Sequence, residues 1–501
     1  MVLKLINSQI FVFSILILFS CDSDYSSNKH QSEIYCIENH LLPDSYLETD
    51  SIPFMNIYDR MQYHKVPGLS ISFINNNKIA WTMTYGVRDI ESNIPVTENT
   101  IFQAASLSKP IAAFMAMKAV DKYQLTLDVH IDSMLTKWQV PETKFSPGRV
   151  TLPNLLSHSA GFNLPNCPGY LEKPLPGTIQ ILDGTSPAIN SPIVLIAEPG
   201  KSFNYSAGGY VIVQLLLEEL YSTCFINLSQ QLFDELKMKN STFNSDLMNI
   251  KYFDIAFGHD ESANIVDGNW AYYPEYAAAG LWTTSSDYAK FILEMQQSLQ
   301  GEGTLNPTLA RKMLEQNNEL FGLGWMLQRQ DNEEYCAYRS DGGHYGYNGI
   351  AFMYEGQDQG VVIMTNSQNG RELILEILRG ISHLYKWHHF IPEKVGKPVW
   401  INCEIICDPY PDTDTLYITG DQPSLKNWNG RGIPLVRGVG NLYQGGFFVN
   451  SGITFEFKYT RGSWESEALD ENMEIPDNYG MKVYCDSTIS DTIKYWKDIT
   501  F

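Results

Sequence analysis

At residues 388–398, "HHFIPEKVGKP", the chain changes character. Before this point, from about residue 45 to 390, strand-like and helical patterns are mixed. After it, over residues 397–501, short apolar runs are broken by Gly, Asn, Asp and Pro, a pattern that reads as all-β. The junction itself holds two prolines and two lysines. A mixed block must therefore fold beside an all-β block. With 501 residues, 44% of them hydrophobic, there is enough chain for a large core and for two domains. No internal repeat or low-complexity tract is present.

Within the first block, "GLSISFINNNKIAWTMTYGV" predicts a hairpin turning at Asn75-Asn76-Asn77, residues that tolerate turn conformations. "IAAFMAMKAV" (111–120) is apolar nearly all round and predicts a buried helix. "GGYVIVQLLLEEL" from Gly208 predicts another helix, and "NGIAFMYEGQDQGVVIMTN" predicts two strands about Glu355-Gly356. Strands at both ends with helices between them imply one antiparallel sheet closed by the two ends of the block.

The net charge of -22 repels phosphate backbones and argues against nucleic-acid binding. The N-terminal "MVLKLINSQIFVFSILILFSC" places Lys4 before an apolar run that is short for a membrane span and suits a secretory leader. Its ending, "LFSC", is similar to a bacterial lipobox, which makes Cys21 the lipidated residue and residues 1–21 the leader. An ordinary signal peptide or an uncleaved anchor is the alternative. Residues 22–44 read as a polar tether. The other cysteines lack CxxC spacing and read as mostly buried thiols, with Cys403 and Cys407 on one face of a strand. No metal or cofactor is called for; His388-His389 has no accompanying carboxylate or Cys cluster.

In "QAASLSKPIAAF" (103–114), Pro110 pins Ser106 near a helix start, because proline is tolerated only in a helix's first turn. Lys109, three residues on, shares that face. The positive end of the helix dipole and the buried helix beyond both disfavour the charged ammonium. A neutral amine beside a hydroxyl is what a serine nucleophile needs. An N-cap beside a surface lysine gives the same short pattern, so it does not decide alone.

Further segments decide. Tyr205 lies in "PGKSFNYSAGGY", before a helix. "LLSHSAGF" (155–162) closes another. In "SDGGHYGYNGIAF", Gly342, Gly343 and Gly346 bracket His344, and glycines there let a ligand approach backbone closely. In this order, with "AAAGLWTTSSDYAKF" between Tyr205 and His344, the set resembles the class C β-lactamase, DD-peptidase and esterase superfamily of serine hydrolases. The resemblance covers about residues 50–388. It implies an α+β fold, with a β-lactamase-like antiparallel sheet flanked by helices and a helical subdomain over residues 45–390.

The resemblance also implies roles. Ser106 is the acylating nucleophile, Lys109 its activating partner, and Tyr205 the acid/base that protonates the leaving group and activates water. His344-Tyr345-Gly346 stands for the family's KTG, and the N–H groups of Ser106 and Tyr347 form the oxyanion hole. Two positions depart from the pattern. Ala207 replaces the Asn of YxN, which holds a substrate amide. His344 replaces the KTG lysine and is neutral or only partly charged at pH 7. Both tilt the expectation towards ester hydrolysis or an atypical peptidase. Asp287, and His158 in "LLSHSAGF", read as structural, with Ser285 or Ser286 near a helix cap.

The last hundred or so residues resemble a starch-binding module of carbohydrate-binding family 20, which implies an immunoglobulin-like β-sandwich over 397–501. Trp428, Lys458 and Trp464 match that family's sugar platform, where rings stack and the lysine donates hydrogen bonds. The matching Asn-Arg is absent at Asp477-Asn478-Tyr479. The expectation is a serine hydrolase of small-molecule esters, working through an acyl-enzyme on Ser106. The same reading expects export to the bacterial cell envelope, a lipid anchor in the membrane and a hold on α-glucan through the C-terminal block. D-Ala-D-Ala peptidase or β-lactamase activity is the alternative. An inactive glycan-binding surface lipoprotein is the alternative of another class.

Overall fold

The computed structural model describes residues 30–48, 51–247, 254–328, 337–354, 358–407 and 415–499. Cys21 and the leader lie outside the described residues. Two compact units divide between His388 and His389, at the compositional junction. Residues 42–54 join the second unit, although sequence assigned residue 45 onward to the first. The cause is pairing: Ser45–Leu47 runs parallel to Glu393–Val395. The expected tether is also corrected over its described part. Residues 30–39 are helical, and Ile37, Leu41 and Leu42 are buried. Those three apolar side chains give the segment a reason to pack.

In the first unit, β1 (Gly68–Asn75) and β2 (Lys78–Gly86) form the expected hairpin. Asn76 and Asn77 take left-handed φ of 51° and 53°, which asparagine tolerates better than most residues. A short strand, β3 (Thr100–Ala105), leads into α1 (Ser108–Tyr123). Next come α2 (Leu152–Leu156), α3 (Ala207–Tyr221) and α4 (Tyr276–Ala279). β4 (Leu281–Thr283) pairs back onto β3, and α5 (Ser285–Gln300) follows. The unit closes with β5 (Met326–Gln328), β6 (Ala337–His344), β7 (Tyr347–Tyr354), β8 (Gln359–Thr365) and α6 (Gly370–Tyr385).

The main sheet has six strands in the order β2-β1-β8-β7-β6-β5. β1 and β8 are antiparallel neighbours from opposite ends of the block, so the two ends close one sheet as expected. β1 is buried at every residue but its last, as a central strand covered on both faces must be. The helix Ile57–His64 is clamped to α6 by Arg60, which donates to both Glu376 oxygens at 2.8 and 2.6 Å. α1 and α3 are buried over most of their surface and run through one continuous apolar core with α5. Their lack of a polar stripe in sequence reflects that central position.

The second unit is β-rich. β9 (Pro398–Cys407), β10 (Thr415–Gly420), β11 (Ile433–Arg437), β12 (Leu442–Asn450), β13 (Thr454–Thr460), β14 (Tyr479–Lys482) and β15 (Ser487–Ile493) surround its own core. Hydrogen bonds link them in a single seven-strand order, β14-β13-β10-β11-β12-β9-β15. The β-rich character is as expected. The continuous ladder does not separate into the two sheets of an immunoglobulin-like sandwich. Cys403 and Cys407 are both buried, on one face of β9, but Cys36 and Cys167 are only half-buried and Cys224 and Cys485 are exposed. The last four correct the expectation of mostly buried thiols.

Candidate active site

The site begins with a backbone irregularity. Ala105 ends β3 with a left-handed φ of 48° while 1% exposed, a conformation that costs a non-glycine residue energy. The ladder to β4 shifts register there. The chain turns sharply, Ser106 projects from the turn, and α1 starts two residues later, at Ser108 rather than at Ser106. Ser108 Oγ pins the turn by donating to Ala105 O at 2.6 Å and accepting from Leu281 N at 3.0 Å. Pro110 falls in the first helical turn, where its missing N–H costs nothing. Lys109 is 4% exposed, and its Nζ donates to Ser106 Oγ at 3.0 Å and to Ala278 O at 2.8 Å.

Tyr205 comes from the turn before α3, where Ser206 is the N-cap and accepts from Gly209 N at 3.1 Å. The Tyr205 hydroxyl donates to Ser106 Oγ at 2.9 Å. Lys109 Nζ also lies 5.0 Å from the Tyr205 ring centroid. The three residues singled out as Ser106, Lys109 and Tyr205 thus meet at one oxygen, from segments 99 residues apart. A hydroxyl within hydrogen-bond reach of both an amine and a phenol can lose its proton to either base and receive it back. Ala207 is buried and offers no side-chain amide.

β6 flanks this group, but not with the residues expected. Ser340 Oγ lies 3.5 Å from Ser106 O, and Gly342 packs against Ala104 and Leu107 of the serine turn. A Cβ on Gly342 would sit 2.3 Å from Ala104 O, so only glycine fits. Ser340-Asp341-Gly342 therefore occupies the place given in sequence to His344-Tyr345-Gly346. His344 stands further on, at the strand's end. Its Nδ1 is 3.1 Å from Gln103 Oε1, while Gln103 Nε2 donates to Ala271 O at 2.6 Å. Gln103 Oε1 is an acceptor, so His344 carries its proton on Nδ1 and leaves Nε2 with a lone pair. Burial, then the Lys109 charge, push His344 down to about 3. It is neutral at pH 7, as expected.

Gly346 serves the turn and not a ligand: φ is +85° and a Cβ would meet Gly258 Cα at 2.9 Å. Tyr347 is wholly buried, its hydroxyl donating to Ala256 O at 2.8 Å, away from the cleft. Tyr347 is not among the described residues that line the cleft beside Ser106, where its backbone N–H was expected. Gly343, exposed, lines the cleft in its place. The cleft encloses about 470 Å³, bounded by Ser106, Lys109, Ala207, Tyr273, Gly343 and His344 among others.

Sequence reading missed Ser340, Gln103 and Tyr273. The run "SDGG" was the available signal, since small residues on a strand admit a close neighbour. Asp287 is structural as expected, accepting from Asn240 N at 2.6 Å and from Lys290. The cap of α5 is Thr284, one residue earlier than Ser285. In the second unit, Trp428 and Trp464 stand side by side, with ring centroids 6.4 Å apart. Lys458 Nζ donates to Glu467 Oε1 at 2.7 Å, with both side chains nearly buried.

Comparison with known proteins agrees with this architecture. The chain is 24% identical over 373 residues to an unguisins hydrolase of Aspergillus violaceofuscus, covering 64% of this chain and 62% of that protein. The chain thus spans less than two thirds of that relative's length. It is 22% identical over 338 residues to a teichoic acid D-alanine hydrolase of Staphylococcus aureus, covering 65% of this chain and 76% of that one. Among solved structures, an octameric penicillin-binding protein homologue from Pyrococcus abyssi superposes with a TM-score of 0.58 at 18% identity, over 85% of this chain and 98% of that one. The Beta-lactamase family model matches residues 56–380, most of the first unit. The chain belongs to the Beta-lactamase family.

Proposed function

We propose that this protein is a carboxylic-ester hydrolase that works through an acyl-enzyme on Ser106. The observation that carries it is the convergence of Lys109 Nζ and the Tyr205 hydroxyl on Ser106 Oγ, at 3.0 and 2.9 Å. In the forward step a base takes the Ser106 proton, the oxygen attacks the ester carbonyl, and the alcohol leaves with a proton from Tyr205. Water then attacks the acyl carbon and gives one proton to the Tyr205 phenolate, and Ser106 Oγ leaves with the proton that the base took from it, releasing the acid. The N–H groups of Ser106 and Gly343 are assigned to the oxyanion, Gly343 replacing Tyr347.

Ester preference rests on what the cleft lacks in charge. His344 is neutral and Ser340 carries none, so neither supplies a permanent cation for a substrate carboxylate. Ala207 supplies no amide to hold a peptide or lactam. The Staphylococcus relative is named for the D-alanine of teichoic acid, which supports a small acyl group and an envelope setting. Export through residues 1–21, with Cys21 lipidated, belongs to the same proposal; fatty-acid labelling that survives Cys21→Ser would refute it.

The test runs nitrophenyl acetate, a chromogenic cephalosporin and a D-Ala-D-Ala peptide in parallel on wild type and Ser106→Ala. Ester turnover and fluorophosphonate labelling should both vanish in the variant. Turnover of the cephalosporin faster than the ester would overturn the ester assignment in favour of the peptidase or β-lactamase alternative. The paired rings of Trp428 and Trp464 favour a second reading for the β-rich unit, stacking on α-glucan. Retention on immobilised starch should be lost in Trp428→Ala, whereas Lys458→Ala should matter only through Glu467.

A further inference from the structure

Resting on the acid/base role of Tyr205, we propose that His158 is the positioning residue that sets the phenol on Ser106. His158 follows α2 and is 2% exposed, with a left-handed φ of 59°. It grips the tyrosine from three directions. Its carbonyl accepts from Asn204 N at 2.7 Å, one residue before Tyr205. Its ring Nδ1 accepts from Ser206 N at 3.1 Å, one residue after. Its ring lies against the Tyr205 ring, with centroids 4.1 Å apart and planes at 31°. Three consecutive residues are thus held by one side chain and its carbonyl, and the middle one reaches Ser106 Oγ.

The grip requires a neutral ring. Ser206 N occupies Nδ1 as donor, so the imidazole proton is on Nε2. Its surroundings keep it so: burial, and then the proximity of Lys109, hold its pKa well below the ordinary histidine range. Tyr205 and Tyr210 pack on the ring, with Phe321 edge-on and Phe203 beyond, and none supplies a counter-charge. An imidazolium would lose the Ser206 hydrogen bond and face Lys109 across an apolar box. A small tilt of the phenol is costly, because proton transfer needs heavy atoms within hydrogen-bond reach.

The test is a double-mutant cycle on nitrophenyl acetate with His158→Phe, His158→Asn and Tyr205→Phe. Phenylalanine keeps a ring but removes the acceptor. Asparagine keeps an acceptor and tolerates the left-handed backbone, so it also guards against a folding failure. His158→Phe should lower kcat by tenfold or more with KM changed less than threefold, and His158→Asn should recover at least part of that loss. In a Tyr205→Phe background, either His158 substitution should cost less than twofold further. Equal losses in both backgrounds would overturn the proposal, as would unchanged kcat in a folded His158→Phe. Wild-type activity of Tyr205→Phe alone would instead overturn the role of Tyr205 on which it rests.

Discussion

His344 lies flat on Tyr273, with ring centroids 3.5 Å apart and planes 10° apart. The stack and the Gln103 hydrogen bond hold the imidazole in the cleft wall as a neutral ring. Burial, with Lys109 adding to it, puts its pKa near 3, against an ordinary value of 6.5. The unfolded chain takes up a proton at this residue well before the native protein does. Its contribution is therefore complete above about pH 6.5 and is lost progressively as pH falls towards 3. The urea midpoint should fall between about pH 7 and about pH 4.5, and less steeply in His344→Gln. An equal slope in the variant would refute the neutral ring.

Lys109 should not be replaceable by arginine. A guanidinium keeps the charge beside Ser106 but cannot act as a base in proteins. Lys109→Arg and Lys109→Met should both reduce kcat on nitrophenyl acetate by about a hundredfold or more, within the usual range for a lost acid/base group. An active Lys109→Arg would mean that charge, and not proton transfer, is what the lysine supplies.

Gly342→Ala should separate activity from folding. The added methyl meets Ala104 O at 2.3 Å and Leu107 Cδ1 at 2.5 Å, and the first of these is backbone that cannot swing away. Relief requires β6 to move off the serine turn. We expect at least a tenfold loss of kcat/KM with the circular dichroism spectrum retained. Full activity would show that β6 need not approach so closely.

Glu376 ties the two ends of the first unit. Burial alone would raise its pKa, but the hydrogen bonds from His64 and Arg60 outweigh burial and hold it below the ordinary carboxylate value. A depressed carboxyl stabilises above its unfolded pKa, and that contribution disappears as pH falls through the folded value. Glu376→Gln should cost about 1–3 kcal/mol at neutral pH, reading it as loss of charge-assisted hydrogen bonds. The cost should shrink in acid. A pH-independent difference would point to packing alone.

The elements around the nucleophile were legible because their constraints are local. Pro110 fixes the first turn of α1 wherever it folds, and Asn76-Asn77 turn a hairpin from their own backbone preferences. β6 was not legible in detail. Which of its residues faces the serine depends on where β3 bulges, and the pairing of β3 with β4 decides that. Sequence offered only His344-Tyr345-Gly346 for this place and passed over Ser340-Asp341-Gly342, four residues earlier. At Gly342 the close approach of Ala104 O leaves no room for a Cβ. The pairing of Lys458 with Glu467 was not legible either, since the two meet only once β13 and its neighbour are folded.

By itself, the sequence determined the two-block division, the closed antiparallel sheet and the segments that carry Ser106, Lys109 and Tyr205. These follow from composition, backbone preference and motif order, which act over a few residues. The tertiary structure decided that residues 42–54 belong with the β-rich unit, that Gly343 and not Tyr347 faces the cleft, and that His158 holds Tyr205. Each of those depends on which distant groups compete for the same space, hydrogen bond or shelter from water. Such competition is settled only when the chain has packed.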